Sequence, residues 1–136
     1  MQVKTLLNQA YRHKGFVYGK IRRDRHGGIP RLVVSIRPRE GSRARCSGCM
    51  GPCPTYDKLP ARLTQFIPIW GFLVFFEYAM RRISCRQCGV QVEAVPWVDG
   101  KRTVSNAYAW FLAAWAKRLS WQDVSRAFRI SWHHVY

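Results

Sequence analysis

Acidic residues are scarce in this chain. Seven Asp and Glu stand against 23 Lys and Arg in 136 residues, for a formal net charge of +16. The seven are Asp24, Glu40, Asp57, Glu77, Glu93, Asp99 and Asp123, scattered over loops and strand candidates. None is paired as a two-metal carboxylate site requires, so metal-assisted phosphoryl chemistry has no candidate residues. The P-loop, Gly-x-Gly-x-x-Gly and nucleophile-elbow motifs are missing as well. Long hydrophobic runs are absent too. The most apolar stretch, Phe66–Phe76, is too short to cross a bilayer and carries Pro68 and Gly71; it reads as buried strand. The first dozen residues, MQVKTLLNQAYR, lack the apolar region of a secretory signal. That points to a reducing compartment, where thiolates bind metal rather than pair. No internal repeat and no low-complexity tract is present. Histidine is sparse: His13 and His26 fall in polar stretches and read as solvated, and the adjacent His133 and His134 cannot share a helix face.

Against these absences stand five cysteines, four of them in two Cys-x-x-Cys pairs, Cys46/Cys49 and Cys85/Cys88. A two-residue spacer lets both thiolates of a tight turn point at one ion, and two such turns complete the S4 shell that zinc prefers. The expectation is one structural zinc per chain. Thirty-five residues separate Cys49 from Cys85. That gap suits a zinc ribbon, in which two knuckles sit at the ends of separate hairpins, and not a finger with its short helix. Four thiolates leave no open coordination position, so zinc hydrolysis is not expected. Neither pair sits at a helix N-terminus in a βαβ unit, as thioredoxin-like redox chemistry would need. The odd residue, Cys53, argues against a disulfide framework and reads as a spectator.

The positive charge is uneven. Residues 1–45 carry 12 basic and 2 acidic side chains, residues 46–100 carry 5 and 4, and residues 101–136 carry 6 and 1. A polyanionic partner is the simplest physical reason for such flanks. A short helix is expected over 3–11. Strands are expected over Phe16–Arg22 and Arg31–Arg37, with a hairpin signal at Gly27-Gly28. Pro52, Pro54 and Pro60 mark the segment after the first cysteine pair as loop-like. Further strands are expected at Thr64–Ile69, Phe72–Ile83 and Val90–Val95, the first two joined by a turn at Trp70-Gly71. From Thr103, a plausible N-cap, the period becomes helical: Val104, Ala107, Tyr108, Phe111, Leu112, Trp115 and Leu119 share a face. Ser120-Trp-Gln-Asp123 matches a capping box and opens a second helix with Val124, Ala127 and Phe128 inward. After a turn at Arg129-Ile130, Ser131 caps a third helix. The short helices and tight turns have the rhythm of a helix-turn-helix. Candidate phosphate contacts are Lys20, Arg22, Arg23, Arg25 and Arg31 around the first hairpin. Lys117, Arg118, Arg126, Arg129, Ser131, His133 and His134 are the nucleic-acid-binding candidates on the helices, with Ser131 opening the helix that would read base edges.

Several of these residues carry a resemblance. A Cys-x-x-Cys followed by Tyr56-Asp57, the strand ending RRISCRQCGV, then VPWVDGKRT and SWQDVSRAFRISWHHV, resemble the N-terminal part of transposases of the ISL-three insertion-sequence family. Arg81-Arg82 before Cys85, and Val95-Pro96-Trp97 before Arg102-Thr103, are its most specific landmarks. The resemblance covers about residues 40–136. It implies a zinc ribbon, then a helix-turn-helix, then a DDE-type catalytic domain whose acidic residues would lie beyond Tyr136. The expected function is therefore recognition of terminal inverted repeats in double-stranded DNA, without catalysis by these residues. It would take place in a bacterial cytoplasm, nucleoid-associated when DNA is bound and with no membrane. The expected fold is α+β. A basic N-terminal helix and hairpin span 1–45, a zinc-ribbon region with a mixed or antiparallel sheet spans 46–100, and a helix-turn-helix-like unit spans 101–136, cut short in its third helix. Two other readings remain. One is an RNA-binding zinc ribbon, which would not need the helical tail. The other is a protein-interaction module that modulates an intact transposase or self-associates.

Overall fold

Two glycine-containing turns set up the sheet. At Gly27-Gly28 both residues have positive φ, 59° and 80°. This is the two-residue hairpin loop whose twist matches the flanking strands. At Trp70-Gly71 the same pattern recurs, with φ of 49° and 80°; a bulky side chain in the left-handed region is uncommon. The computed structural model describes residues 3–128, apart from the side chain of Trp121. In chain order these form α1 (Val3–Ala10), β1 (Phe16–His26), β2 (Ile29–Pro38), β3 (Ala44–Cys46), β4 (Pro52–Cys53), β5 (Thr55–Ile69), β6 (Phe72–Cys85), β7 (Gly89–Ala94), α2 (Asn106–Ala116) and α3 (Trp121–Phe128). The class is α+β with a mixed sheet.

The strand order is β1-β2-β6-β7-β3-β4, with β5 also paired to β6. Strand β6 is the spine. It runs parallel to β2 over Leu73–Glu77, antiparallel to β7 over Arg82–Cys85, and antiparallel to β5 along nearly its whole length. On β1, Tyr18 faces Ile36 while Ile21 faces Val34. One extra residue is thus inserted near Gly19, a β-bulge. It explains why the inward residues of β1 are spaced by three there, not two.

Core side chains come from alternate positions: Leu32, Val34 and Ile36 of β2, and Val74, Phe76, Tyr78 and Met80 of β6, with Phe66 of β5. Leu7 of α1 and the segment carrying Val95, Trp97 and Val98 cover them. Trp97 meets Phe16 and Tyr78 edge-on, with ring centroids 4.9 and 5.1 Å apart, a favoured aromatic geometry. A second, smaller cluster of Val104, Tyr108, Leu112 and Val124 holds α2 and α3 together and reaches Ile67 of β5. The exposed edge of β5 is partly capped there, since Gln65 exchanges backbone hydrogen bonds with Thr103 and Ser105.

Several expectations need correction. The proline-rich segment is not a loop, because β5 begins at Thr55. Pro60 and Pro68 sit where the β5–β6 register shifts, and β5 is an edge strand, the setting in which a sheet accepts proline. Strand β1 runs on to His26, because its basic residues alternate with inward positions as well as apolar ones do. Ser105, not Thr103, caps α2: its side chain accepts the Tyr108 N–H at 3.2 Å. Trp115 and Leu119 are 42% and 38% exposed: Trp115 covers Phe128 from the rim of the small cluster, and Leu119 lies beyond the end of α2 at Ala116. Ala127 is exposed as well. The N-cap half of the capping box forms, with the Asp123 N–H donating to Ser120 Oγ at 3.1 Å, and the Asp123 carboxylate accepts from the Ser120 hydroxyl at 2.8 Å. His13 is not solvated. It is half-buried among Tyr18, Phe76 and Trp97, with ring centroids 5.4–6.2 Å away.

Candidate metal centre and basic surfaces

The four paired cysteines come from three strand ends. Cys46 closes β3, Cys85 closes β6 and Cys88 immediately precedes β7. Their sulfurs all lie within 4.8 Å of one another, and Cys49 Sγ stands 3.7 Å from Cys85 Sγ. Four sulfurs at about 2.3 Å from a central zinc stand about 3.8 Å apart along each tetrahedral edge. The cluster therefore needs only small closing movements to hold such an ion. Among the described residues this is the one group of potential metal ligands so arranged.

Local backbone geometry builds each knuckle. In the first, the Met50 N–H donates to the Cys46 carbonyl at 2.8 Å, and the Gly48 N–H points at Cys46 Sγ at 3.3 Å. A Cβ at Gly48 would stand 2.8 Å from Cys88 Sγ, so glycine is required for the two knuckles to approach. Gly89, just after the second knuckle, has φ +78°, and Met50 holds the same place after the first with φ 63°. Backbone amides favour the thiolate at Cys46 and at Cys85. Amides of Cys49 and Gly48 pull Cys46 down, and amides of Cys88 and Gln87 pull Cys85 down to about 6. Cys88 is pushed up to about 12, chiefly by Cys46 beside it. Four thiolates cannot share so small a space without a cation to neutralise them, and the donor set fits a soft divalent ion such as zinc.

Cys53 is buried and lies outside this group. Its thiol contacts the Gly51 carbonyl at 3.6 Å, and burial pushes its pKa up.

The cysteine-bearing end joins the core through a buried ion pair. Glu93 of β7 accepts from the Arg81 guanidinium at 2.9 Å, from the Arg81 backbone N–H at 2.9 Å, and from the Tyr78 hydroxyl. The Arg81 and Glu93 side chains are 7% and 0% exposed. Here β6 passes from β2 to β7, and the carboxylate fills the gap between the two ladders. The neighbouring Arg82 pairs with Asp57. Both arginines were visible as a doublet, but their carboxylate partners lie 12 and 25 residues away, a separation that no local spacing rule reveals.

Of the basic side chains expected to meet phosphate, Arg22 is held bidentate by Glu77 at 2.9 and 3.0 Å, and Arg31 is paired with Asp24. Lys20, Arg23 and Arg25 are exposed and lie outside the ion pairs found among the described residues; Arg25 reaches the Gly28 carbonyl. On the helical side Lys117, Arg118 and Arg126 are exposed, and no carboxylate is paired with them among the described residues. Arg129, Ser131, His133, His134 and the third helix lie outside the described residues. No described helix is long and apolar enough to cross a membrane.

Over 118 residues, 82% of its length, the chain is 31% identical to the transposase for insertion sequence element IS1557 of Mycobacterium tuberculosis, in strain CDC 1551 / Oshkosh and in strain H37Rv. The match spans 26% of the length of those transposases. No family model matches the chain, and no solved structure matches it significantly.

Proposed function

We propose that this chain acts as the DNA-binding part of an insertion-sequence transposase of the ISL-three kind, recognising the terminal inverted repeats of its element. The observation that carries the reading is the transposase similarity across most of the chain. The four-thiol cluster and the unmatched basic surfaces supply a physical means.

In this reading residues 46–100 form a zinc ribbon around Cys46, Cys49, Cys85 and Cys88. A structural zinc fixes the two knuckles and so the orientation of the strands that bear them. Residues 1–45 present Lys20, Arg23 and Arg25 to phosphate, while Arg22 and Arg31 can join only by leaving their carboxylates. Residues 101–136 act as a helix-turn-helix, with α2 and α3 placing Lys117, Arg118 and Arg126 on the backbone. Arg129 joins these phosphate contacts, and the helix that Ser131 opens, with His133 and His134, enters the groove. Phosphate contacts position the protein but carry no sequence information directly; base reading falls to the residues that follow α3. Strand cleavage is not assigned to this chain, because four of its seven carboxylates are engaged by arginines.

The test is fluorescence anisotropy with inverted-repeat and random duplexes over a salt series, with a nicking assay alongside. If about six phosphates are neutralised, affinity falls on the order of a thousandfold between about 50 and 200 mM salt. A flat salt response would remove the electrostatic basis. It would favour the protein-interaction reading, which the 78% exposed Trp110 on α2 supports. Equal affinity for single-stranded RNA would favour the RNA-binding alternative, and metal-dependent nicking would overturn the non-catalytic assignment.

A further inference from the structure

Cys53 has no place in a four-thiolate shell, yet it packs against one. It shares a buried cluster with Ala44, Cys46, Ile83 and Cys85. Two observations place it relative to β6. Thr55 is the register partner of Ile83, and the Ser84 N–H donates to the Pro54 carbonyl at 3.1 Å. Continuing that antiparallel register puts Cys53 directly opposite Cys85. Hydrogen-bonded and non-hydrogen-bonded pairs alternate, and Pro54–Ser84 carries the bond, so Cys53–Cys85 is a non-hydrogen-bonded pair. Such pairs have Cα atoms about 4.5 Å apart and side chains at close approach, inside the disulfide window of about 4.4–6.8 Å. Both cysteines, with Cys49, line an open groove of ≈ 770 Å³ flanked by Arg43 and Arg86. Cys46, by contrast, is fully buried.

We propose that Cys53 is a resolving thiol, and that a peroxide converts Cys85 and Cys53 into a cross-strand disulfide that dismantles the metal site. The inference rests on the metal reading above. The Cys85 sulfur attacks one peroxide oxygen, the O–O bond breaks, and the departing hydroxide is protonated to water, leaving a sulfenic acid. The Cys53 sulfur then attacks that sulfur. The S–S bond forms, the S–O bond breaks, and the hydroxyl leaves with the Cys53 proton as a second water. Two electrons pass from the two sulfurs to one peroxide. With Cys85 oxidised only three of the thiolates that would hold the ion remain, which would favour its release.

The experiment treats the zinc-loaded full chain with hydrogen peroxide, follows zinc with a chromogenic chelator, and maps disulfides by peptide mass spectrometry. The expected product is one Cys53–Cys85 disulfide per zinc released, reversed by a reductant with added zinc. Cys53→Ser should load zinc normally and release it at least about tenfold more slowly, because an intramolecular thiol acts at high effective concentration. Release from Cys53→Ser at the wild-type rate would overturn the proposal. So would disulfides confined to Cys46, Cys49, Cys85 and Cys88, a Cys49–Cys85 bond included, with Cys53 still free. If Cys53→Ser fails to load zinc, the wild-type disulfide map decides. If the untreated wild-type chain holds no zinc, the metal reading fails separately, and mapping the metal-free chain still tests whether Cys53 pairs with Cys85.

Discussion

Between Phe72 and Met80, β6 buries Val74, Phe76, Tyr78 and Met80 in a core that also takes in Leu7, Tyr18, Phe66 and Trp97. Between Arg81 and Cys85 the same strand buries Ile83 and Cys85 against only Ala44, Cys46 and Cys53. The first half removes large aromatic and aliphatic surface from water, and each such side chain contributes about 1.5–3 kcal/mol. The second half has one large aliphatic side chain, and the strands packed around it, β3 and β4, have three and two residues. One continuous strand thus passes from a region held by the hydrophobic effect into a region too small for it. A bound metal is one usual staple for a small region of that kind, and the four clustered thiols there could hold one.

The comparison breaks most sharply at the thiols. Cys85→Ser, or zinc removal by a chelator, should unfold the cysteine end, because zinc binding to such sites contributes roughly 10–16 kcal/mol of apparent free energy. Hydrogen exchange should show protection lost over Ala44–Cys53 and Gly89–Ala94, with β1, β2 and the first half of β6 retaining theirs. Simultaneous loss across both halves would show that they form one cooperative unit. Next in size is the joint between the halves. Glu93→Gln leaves the Arg81 guanidinium buried without its countercharge, which costs about 3–5 kcal/mol, measurable as a shift in the urea midpoint. An unchanged midpoint would mean that the ion pair adds nothing to the coupling.

The smallest effect separates the halves by pH. His13 lies in the aromatic half, where burial lowers its pKa below 6.5. The unfolded chain then binds a proton at a higher pH than the folded chain does. Stability from this group is present above the unfolded pKa and is lost as pH falls below it, with a slope of at most about 1.4 kcal/mol per pH unit. With a metal on its four thiols the cysteine half would also weaken on acidification, because thiolate ligands must stay deprotonated. His13→Phe should therefore remove only part of the slope between about pH 7 and 5. An identical slope in the variant would take His13 out of the acid response.

Much of this molecule was legible because its signals are local. The two Cys-x-x-Cys turns, the Gly27-Gly28 hairpin, the capping box at Ser120 and the alternation along β2 and β6 each depend on residues within a few positions of one another. The places where local reading fails are those where another part of the fold overrides a preference. Pro60 reads as loop but is absorbed at a register shift on an edge strand. Thr103 reads as a cap, but its carbonyl is bonded to Gln65, and Ser105 takes the role. His13 reads as surface, but its polar neighbours leave it facing three aromatic rings.

The sequence by itself determined the spacing of the two cysteine pairs, the turn positions, the strand periodicity and the excess of positive charge, since composition and short spacings carry all four. Tertiary structure alone decided that β2 lies parallel to β6 and that Glu93 reaches back to Arg81. It also decided that Arg22 and Arg31 are matched by carboxylates while Lys117, Arg118 and Arg126 are not paired among the described residues. It also brought Cys53 into one buried cluster with Cys85. The physical reason is common to all of these. Each depends on which distant strand supplies the neighbouring edge, and that choice is made by burying whole faces of side chains together rather than by any residue and its near neighbours.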